Sequence, residues 1–307
     1  MSQITRREFV RRSLQLMLTT AAVGTVPTLD LLSLPALAAE SGPALAVRKG
    51  TSIPLLVEEV MGALGGMGAF VKAGATVVVK PNIGWDRTVE QGANTHPQVV
   101  RAVVAHCLEA GAKSVQVFDR TCNDPRRCYV QSGIQDAVES LRSDRVRIEH
   151  MDRRAYRELA IANGRDLERW SFYQPALDAD CFINLPVAKH HGLSTVSLGL
   201  KNIMGVIGGN RGRLHQNIAE ALADINSVVH SNLTLIDATR ILTANGPQGG
   251  RLEDVRVMDT LIASADIVAA DAYAATLFGH RPEQLSTIAT AARRGLGSLD
   301  LERVRMV

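Results

Sequence analysis

Short, wholly apolar runs alternate along this chain with stretches in which apolar residues recur every three or four positions. Ala44–Arg48 reads as a first strand, and Thr76-Val-Val-Val-Lys80 as a strand buried on both faces. Between them, Ser52 can cap a helix that has Pro54 in its first turn and Leu55, Leu56, Val60 and Leu64 along it. The glycine-rich stretch 62–68 is its exit. Pro97 opens the next helix, with Val99, Val100, Val103, Val104 and Leu108 on its apolar side and Gly111 as its stop. Ser114–Phe118 is the following strand, ending at Asp119. A helix over 130–141 and a strand over 145–149 complete another unit. A polar stretch from Asp152 to Asp166 then interrupts the pattern. Beyond it come a strand at Asp180–Asn184, a polar loop and a helix over 195–204. A glycine-rich turn leads to a helix over 214–230 and a strand at Leu233–Asp237. A strand over 255–258 and helices over 267–278 and 283–293 finish the chain. This alternation predicts an α/β fold with a mostly parallel sheet and helices on both faces. It is built as one large domain, 39–307, or as two closely packed halves, 39–150 and 167–307.

The first 38 residues stand apart from this pattern. Thr5-Arg6-Arg7-Glu8-Phe9-Val10 is a paired-arginine motif, followed by a weakly apolar stretch and by Ala36-Leu37-Ala38, a cleavage site of the A-x-A form. Thr19, Thr20, Gly24, Pro27 and Asp30 break the apolar run below the ~18 residues that a membrane span requires. The expectation is a twin-arginine signal peptide over 1–38, with the translocase of that route as a partner. The mature protein then begins near Ala39, lies in the periplasm or outside the cell, and keeps no stable membrane span. Twin-arginine export carries folded proteins, so the mature chain folds before it crosses.

Composition narrows the function classes. The formal charge is +3, and part of it sits in the leader, so basic and acidic residues nearly balance beyond Ala38. That argues against nucleic-acid binding, which needs clustered basic charge. The four cysteines, at 107, 122, 128 and 181, contain no C-x-x-C pair, so the chain carries no iron–sulfur cluster motif. Cys107 and Cys181 fall in apolar patterns and read as core thiols. Cys122 and Cys128 share one loop and form a disulfide candidate in an oxidising compartment.

Chemistry gathers where the strands end. Lys80-Pro-Asn82 follows one strand, Asp119 ends another, Asn184 precedes Lys189-His190-His191, and Asp237 closes a fourth. Open α/β sheets bind ligands outside such carboxyl ends. Strand-end Asp and Asn also cap helices, so Asp119 and Asp237 carry both readings. His is the usual proton carrier and metal ligand near neutral pH. Adjacent histidines on a strand face opposite ways, so one of His190 and His191 points inward. Lys201-Asn202 lies in an otherwise apolar run, which is expensive for a lysine without a partner or a chemical use. Gly208, Gly209 and Arg211 open a turn before a helix, a place for an anion. His191 and His215 are candidate metal ligands, and His96 is a spare one.

Several of these pieces together resemble the family called domain of unknown function 362. Val77-Val-Val-Lys-Pro-Asn82 looks like its opening motif, with Thr95-His-Pro97 ahead of a helix ending Glu109-Ala-Gly-Ala112. Asp180–Pro186, Lys189-His190 and Leu200-Lys-Asn202-x-x-Gly205 resemble its central motif. Asp237-Ala238, Asn245-Gly-Pro247, Ala263-Ser264-x-Asp266 and Asp271-Ala272 resemble its last third. Many members of that family carry ferredoxin-type cysteines, which this chain lacks. The central motif is also similar, more distantly, to the nickel-pincer lactate racemase. That similarity implies a proton-transfer role for His190, an attachment role for Lys201, and a divalent metal or metal-containing cofactor.

The expected function is therefore an exported protein that binds a small anionic ligand, or a metal or cofactor, at the strand ends, with His190 and Lys201 as candidate catalytic residues. Lys80, Asn82, Lys189, Asn202, Gly208, Gly209, Arg211 and Asp237 are its candidate binding residues. The alternative is a non-catalytic periplasmic accessory of an iron–sulfur redox system, with a redox protein as its partner.

Overall fold

The computed structural model describes residues 42–307. The signal-peptide reading of residues 1–38 lies outside the described residues. The strands are β1 (Ala44–Lys49), β2 (Thr76–Pro81), β3 (Ser114–Val117), β4 (Val146–Ile148), β5 (Tyr156–Ala160), β6 (Arg169–Tyr173), β7 (Cys181–Leu185), β8 (Val187–His191), β9 (Thr195–Ser197), β10 (Leu233–Leu242), β11 (Val255–Ser264) and β12 (Arg305–Met306). The helices are α1 (Ile53–Ala63), α2 (Pro97–Glu109), α3 (Pro125–Gln131), α4 (Ile134–Glu139), α5 (Gln174–Leu177), α6 (Gly199–Asn202), α7 (Ile218–Asn226), α8 (Ile267–Thr276) and α9 (Ser286–Arg293). None of the described helices is long and apolar enough to cross a membrane.

One sheet runs in the order β12-β1-β11-β10-β7-β2-β3-β4, with β8 and β9 branching from β10. Pairings within β7-β2-β3-β4 and between β10 and β7 are parallel, whereas β11 lies antiparallel to both β10 and β1. The fold is thus mixed α/β with a mostly parallel sheet. Strands from both sides of the polar 152–166 stretch interleave. β7 lies between β2 and β10, and β1 pairs with β11, so the candidate halves share one sheet.

Strand alternation divides the core. Val77, Val79, Val115, Val117 and Ile183 pack with α1 through α4 on one face. Val78, Phe182, Ile236 and Ile262 pack with α7, α8 and α9 on the other. All-apolar strands of this kind supply both faces at once.

Several elements depart from the sequence pattern. The polar 152–166 stretch contributes to a hairpin, β5 with β6, whose largely exposed first strand, with Arg157, Glu158 and Ala160 in solvent, hides its strand character. The loop after Asn184 is itself extended, as β8 and β9. The helix expected over 130–141 is broken in two at Gly133, which adopts φ +69°. That expected over 195–204 shortens to α6 and a 3-10 turn at Ile203–Val206. The helix expected over 214–230 begins as a 3-10 turn, Arg211–Asn217, and becomes α-helical only at Ile218.

The chain runs from β2 to β3 on one side, and β7 joins β2 on the other side. The strand order reverses there, which opens a crevice at the carboxyl ends of these strands. Lys80, Asn184 and Asp119 stand at that crevice.

Candidate functional site

The register fixes the floor of the crevice. Lys80 of β2 lies beside Asn184 of β7, and Asp119 follows β3. Lys80 is wholly buried, and its Nζ lies 2.8 Å from Asp119 Oδ1. That contact is ionic in character, since Oδ1 has no aligned hydrogen-bond donor. Asp119 Oδ2 accepts from the backbone N–H of Ile83. Lys80 Nζ also donates to Pro81 O and to Asn202 Oδ1 at 2.9 Å, so two of its protons have acceptors and its charge meets Asp119. Burial pushes the Lys80 pKa down and Asp119 pulls it back up.

Asn202 ties three strand ends together. Its Nδ2 donates to Asn184 Oδ1 at 2.8 Å and to Lys80 O, while its Oδ1 accepts from Lys80 and from Asn82 Nδ2. Asn82 Oδ1 in turn accepts from Lys189 Nζ at 2.9 Å. Lys189 gives a second bond to Ala93 O, at 2.6 Å. Both acceptors of Lys189 are neutral. Burial, reinforced by the charges of Lys201 and Lys80, lowers its pKa to about 7.

Lys201 sits on α6, one residue before Asn202. The first turn of α6 is anchored by Asp271 of α8, a buried carboxylate that accepts from Gly199 N at 2.6 Å and Leu200 N at 2.9 Å. Burial raises the Asp271 pKa to about 7 despite these two donors. Lys201 Nζ contacts His215 Nε2 at 3.1 Å and Met204 Sδ at 3.4 Å. His215 Nδ1 lies 3.2 Å from Gly212 O, which assigns the ring proton to Nδ1 and leaves Nε2 to accept from Lys201. Burial and Arg211 lower the Lys201 pKa to about 8.

These groups open onto a cavity of about 1150 Å³. Its floor is Lys80, Asn82, Asp119, Lys189, Lys201 and Asn202. One wall is the 120–125 loop, with Cys122, and another is the β5–β6 hairpin with Tyr156 and Ser171. Gly192, Leu193, Gly246 and Pro247 form a lip. Six Lys or Arg side chains line it against a single carboxylate, Asp119, which Lys80 already neutralises.

The structure rearranges the sequence assignments. One histidine of the adjacent pair does point inward, and it is His191. His190, the expected proton carrier, is absent from the cavity lining, and its Nδ1 accepts from the backbone N–H of Gly246. The alternation along β8 places Lys189 and His191 on the cavity face and turns His190 away. Asp237 is also outside the lining. Its two oxygens accept from His96 N, Thr239 N and Thr239 Oγ1, so it anchors the start of α2 rather than a ligand. His96 caps that helix, its Nδ1 accepting from Gln98 N.

The glycine turn lines the cavity, but Gly208 N already donates to Ser171 O at 2.7 Å and cannot cradle an anion. Gly209 adopts φ +63° and gives its carbonyl to Arg120. Arg211 spends its guanidinium on the carbonyls of Arg120, Met204 and Thr121, which fixes the 120–122 loop. On the cavity floor, Lys189 and Lys201 are the cations left to face an anion, with Arg153 lining the cavity away from that floor.

His191 and His215 do not fit a metal-ligand pair. Their rings stack face to face, with centroids 5.5 Å apart and planes 12° from parallel, so their nitrogens do not converge. His191 Nδ1 accepts from Leu193 N and Ser194 N, which places the proton of the neutral ring on Nε2. Among the described residues no group of three or more His, Cys, Asp or Glu side chains is arranged to hold a metal ion. The disulfide candidate fails as well. Cys128 lies buried in α3, its thiol against Gly84 O, while Cys122 is exposed in the cavity with Arg211 Nη2 at 3.8 Å; both are free thiols.

Asp271 and the β5–β6 wall carry no local site signal in the sequence. Asp271 was visible only as part of a short motif, and no local pattern announces that it reaches α6.

A mostly parallel α/β sheet with a cation-lined crevice at its switch point defines the class of protein. The chain belongs to the family described as Domain of unknown function (DUF362), whose pattern matches residues 77–276. It is 29% identical over 241 residues to the thylakoid-associated protein sll1697 of Synechocystis sp., covering 76% of this chain and 72% of that one. Two solved structures are similar in outline, each with a TM-score of 0.46. One is a protein from Thermotoga maritima, 14% identical, with 76% of this chain and 61% of that one covered. The other is the lactate racemase apoprotein from Thermoanaerobacterium thermosaccharolyticum, 10% identical, with 77% and 57% covered. The chain spans less than two thirds of either solved protein.

Proposed function

We propose that this chain is an exported protein that binds a small organic anion in the crevice, with Lys189 and Lys201 as the groups that meet the negative charge. The observation that carries this reading is the imbalance of the cavity: the buried Lys189 and the partly buried Lys201 face it with only neutral hydrogen-bond partners, beside a third lysine whose carboxylate is already committed. Burying an ammonium without a counter-charge is costly, and a bound anion removes that cost. His191, with its proton on Nε2, adds a neutral donor to the same wall. The Lys201–His215 contact is placed to pass a proton between amine and imidazole, which would let the site act on its ligand as well as hold it. The export half of the proposal rests on the paired arginines and cleavage site of residues 1–38. The relative named for its thylakoid association supports a station beside a membrane, where the expected redox partner protein would meet it.

The test is thermal stability of the mature protein against a panel of mono- and dicarboxylates and inorganic phosphate at constant ionic strength. Stabilisation that saturates with one class of anion, and that Lys201→Met abolishes, is expected. A flat response across the panel would remove the anion site.

A further inference from the structure

We propose that Lys189 is a nucleophile, and that it forms a reversible imine with the carbonyl carbon of a carbonyl-bearing small anion, a 2-oxo acid in the simplest case. The inference deepens the anion-site reading and rests on it. A primary amine has four tetrahedral directions. In Lys189 one is Cε, and two are N–H bonds taken by Asn82 Oδ1 and Ala93 O. In the neutral amine the fourth direction holds the lone pair, the one direction with no protein acceptor on a side chain that borders the cavity.

The other two lysines are differently committed. Lys80 donates to Pro81 O and Asn202 Oδ1 and lies 2.8 Å from the Asp119 carboxylate, which opposes loss of its proton and occupies its remaining side. Lys201 has a lone-pair acceptor in His215 Nε2, which draws on its protons, and a thioether beside it. Lys189 has no carboxylate among its hydrogen-bond partners. The charged and titratable groups around it are Lys80, Lys201, Asp119, Cys122 and His191. Its pKa of about 7 leaves a large share of the amine neutral near pH 7, a condition that a nucleophilic lysine needs. Lys201 stays the more charged of the two, at about 8, and so serves the ligand's carboxylate.

The step balances without an outside reagent. The Nζ lone pair attacks the carbonyl carbon, the C=O π pair moves to oxygen, and one amine proton transfers to that oxygen. The carbinolamine then expels the oxygen as water, with the second amine proton, and leaves a C=N bond. When the imine is protonated, its single N–H keeps one of the two present acceptors, Asn82 Oδ1 or Ala93 O.

The experiment treats the mature wild-type protein with pyruvate, glyoxylate or 2-oxoglutarate in the presence of cyanoborohydride, followed by peptide mapping. Propionate, a carboxylate with no adjacent carbonyl, is the control. The expected result is one reduced adduct per chain, on the peptide containing Lys189, with propionate giving a thermal shift and no adduct. Thermal stabilisation by 2-oxo acids without an adduct, or with the adduct on Lys201 or on surface lysines, overturns the inference and leaves the anion site standing. No stabilisation and no adduct overturns both. Wild-type mapping decides the matter even if Lys189→Met fails to fold.

Discussion

Gly205 backs directly onto Asp119: a Cβ at this position would fall inside the Asp119 carboxylate and against the end of Lys80. The buried Lys80–Asp119 pair is thus closed in by a backbone with no side chain, which explains in physical terms why Leu200-Lys-Asn202-x-x-Gly205 ends on glycine. Its own carbonyl accepts from Arg120 N, so the segment cannot simply back away. Gly205→Ala is expected to destabilise the protein by about 1–3 kcal/mol through overpacking, read as a lower midpoint in denaturant unfolding. An unchanged midpoint would show that the pair has room to move.

Breaking the pair from the other side should be more severe. Asp119→Ala leaves Lys80 buried beside Asn202 with its charge uncompensated, and losing one partner of a buried pair costs roughly 3–5 kcal/mol. Replacing both residues, as Lys80→Met with Asp119→Leu, should recover part of that loss. A double variant as unstable as the single one would show that the hydrogen bonds to Asn202 and Ile83, not the charge, dominate.

The thiols give a direct check on the 120–128 loop. Cys122 is exposed, whereas Cys107, Cys128 and Cys181 are buried, and burial raises the Cys128 and Cys181 pKa values to about 11. The native unreduced protein should therefore take up one equivalent of alkylating agent, at Cys122. Two protected, linked peptides at 122 and 128 would restore the bridge that the spacing suggested.

Much of the fold was legible because buried strands leave a plain signal. Thr76–Lys80 and Asp180–Asn184 are apolar on both faces, and their carboxyl ends carried the polar groups that form the crevice floor. The choice between His190 and His191 was not legible. Strand parity says that one faces inward, but which one depends on the register of β8 against β9 and β10. The functions of Asp237 and Arg211 were hidden for a similar reason: both look like ligand groups in sequence, and both are consumed by backbone partners over 70 residues away. Tyr156 and Ser171 could not be foreseen as cavity wall, since the hairpin that carries them is amphipathic and reads as a polar break.

Export is testable apart from the fold. Replacing Arg6 and Arg7 together with Lys keeps the positive charge and removes the paired guanidinium groups. The precursor should then stay uncleaved inside the cell, while the wild-type chain is expected to be cut near Ala39 and found outside the cytoplasmic membrane. Normal processing of the double variant would defeat the twin-arginine reading.

The lysine pair also predicts a pH dependence whose sign can be worked out. Lys189 and Lys201 have pKa values of about 7 and about 8 in the folded chain, against an ordinary value of 10.5. Between about pH 7 and 10 the unfolded chain therefore binds more protons at these positions than the native one. Stability of the ligand-free protein from this source should rise with pH across that window, and somewhat more than half of the rise should vanish in Lys189→Met, the rest belonging to Lys201. Asp271 works in the opposite sense at lower pH. Its folded pKa of about 7 lies above the ordinary 3.8, so its contribution is greatest below pH 4 and is lost as pH climbs to 7. The two effects together place a minimum of ligand-free stability near neutrality. A saturating anion should reverse the upper limb, because it raises both lysine pKa values and its affinity falls as the amines lose their protons. Denaturant midpoints between pH 5 and 9.5, with and without the anion, measure both curves. Parallel curves would show that no anion meets these lysines.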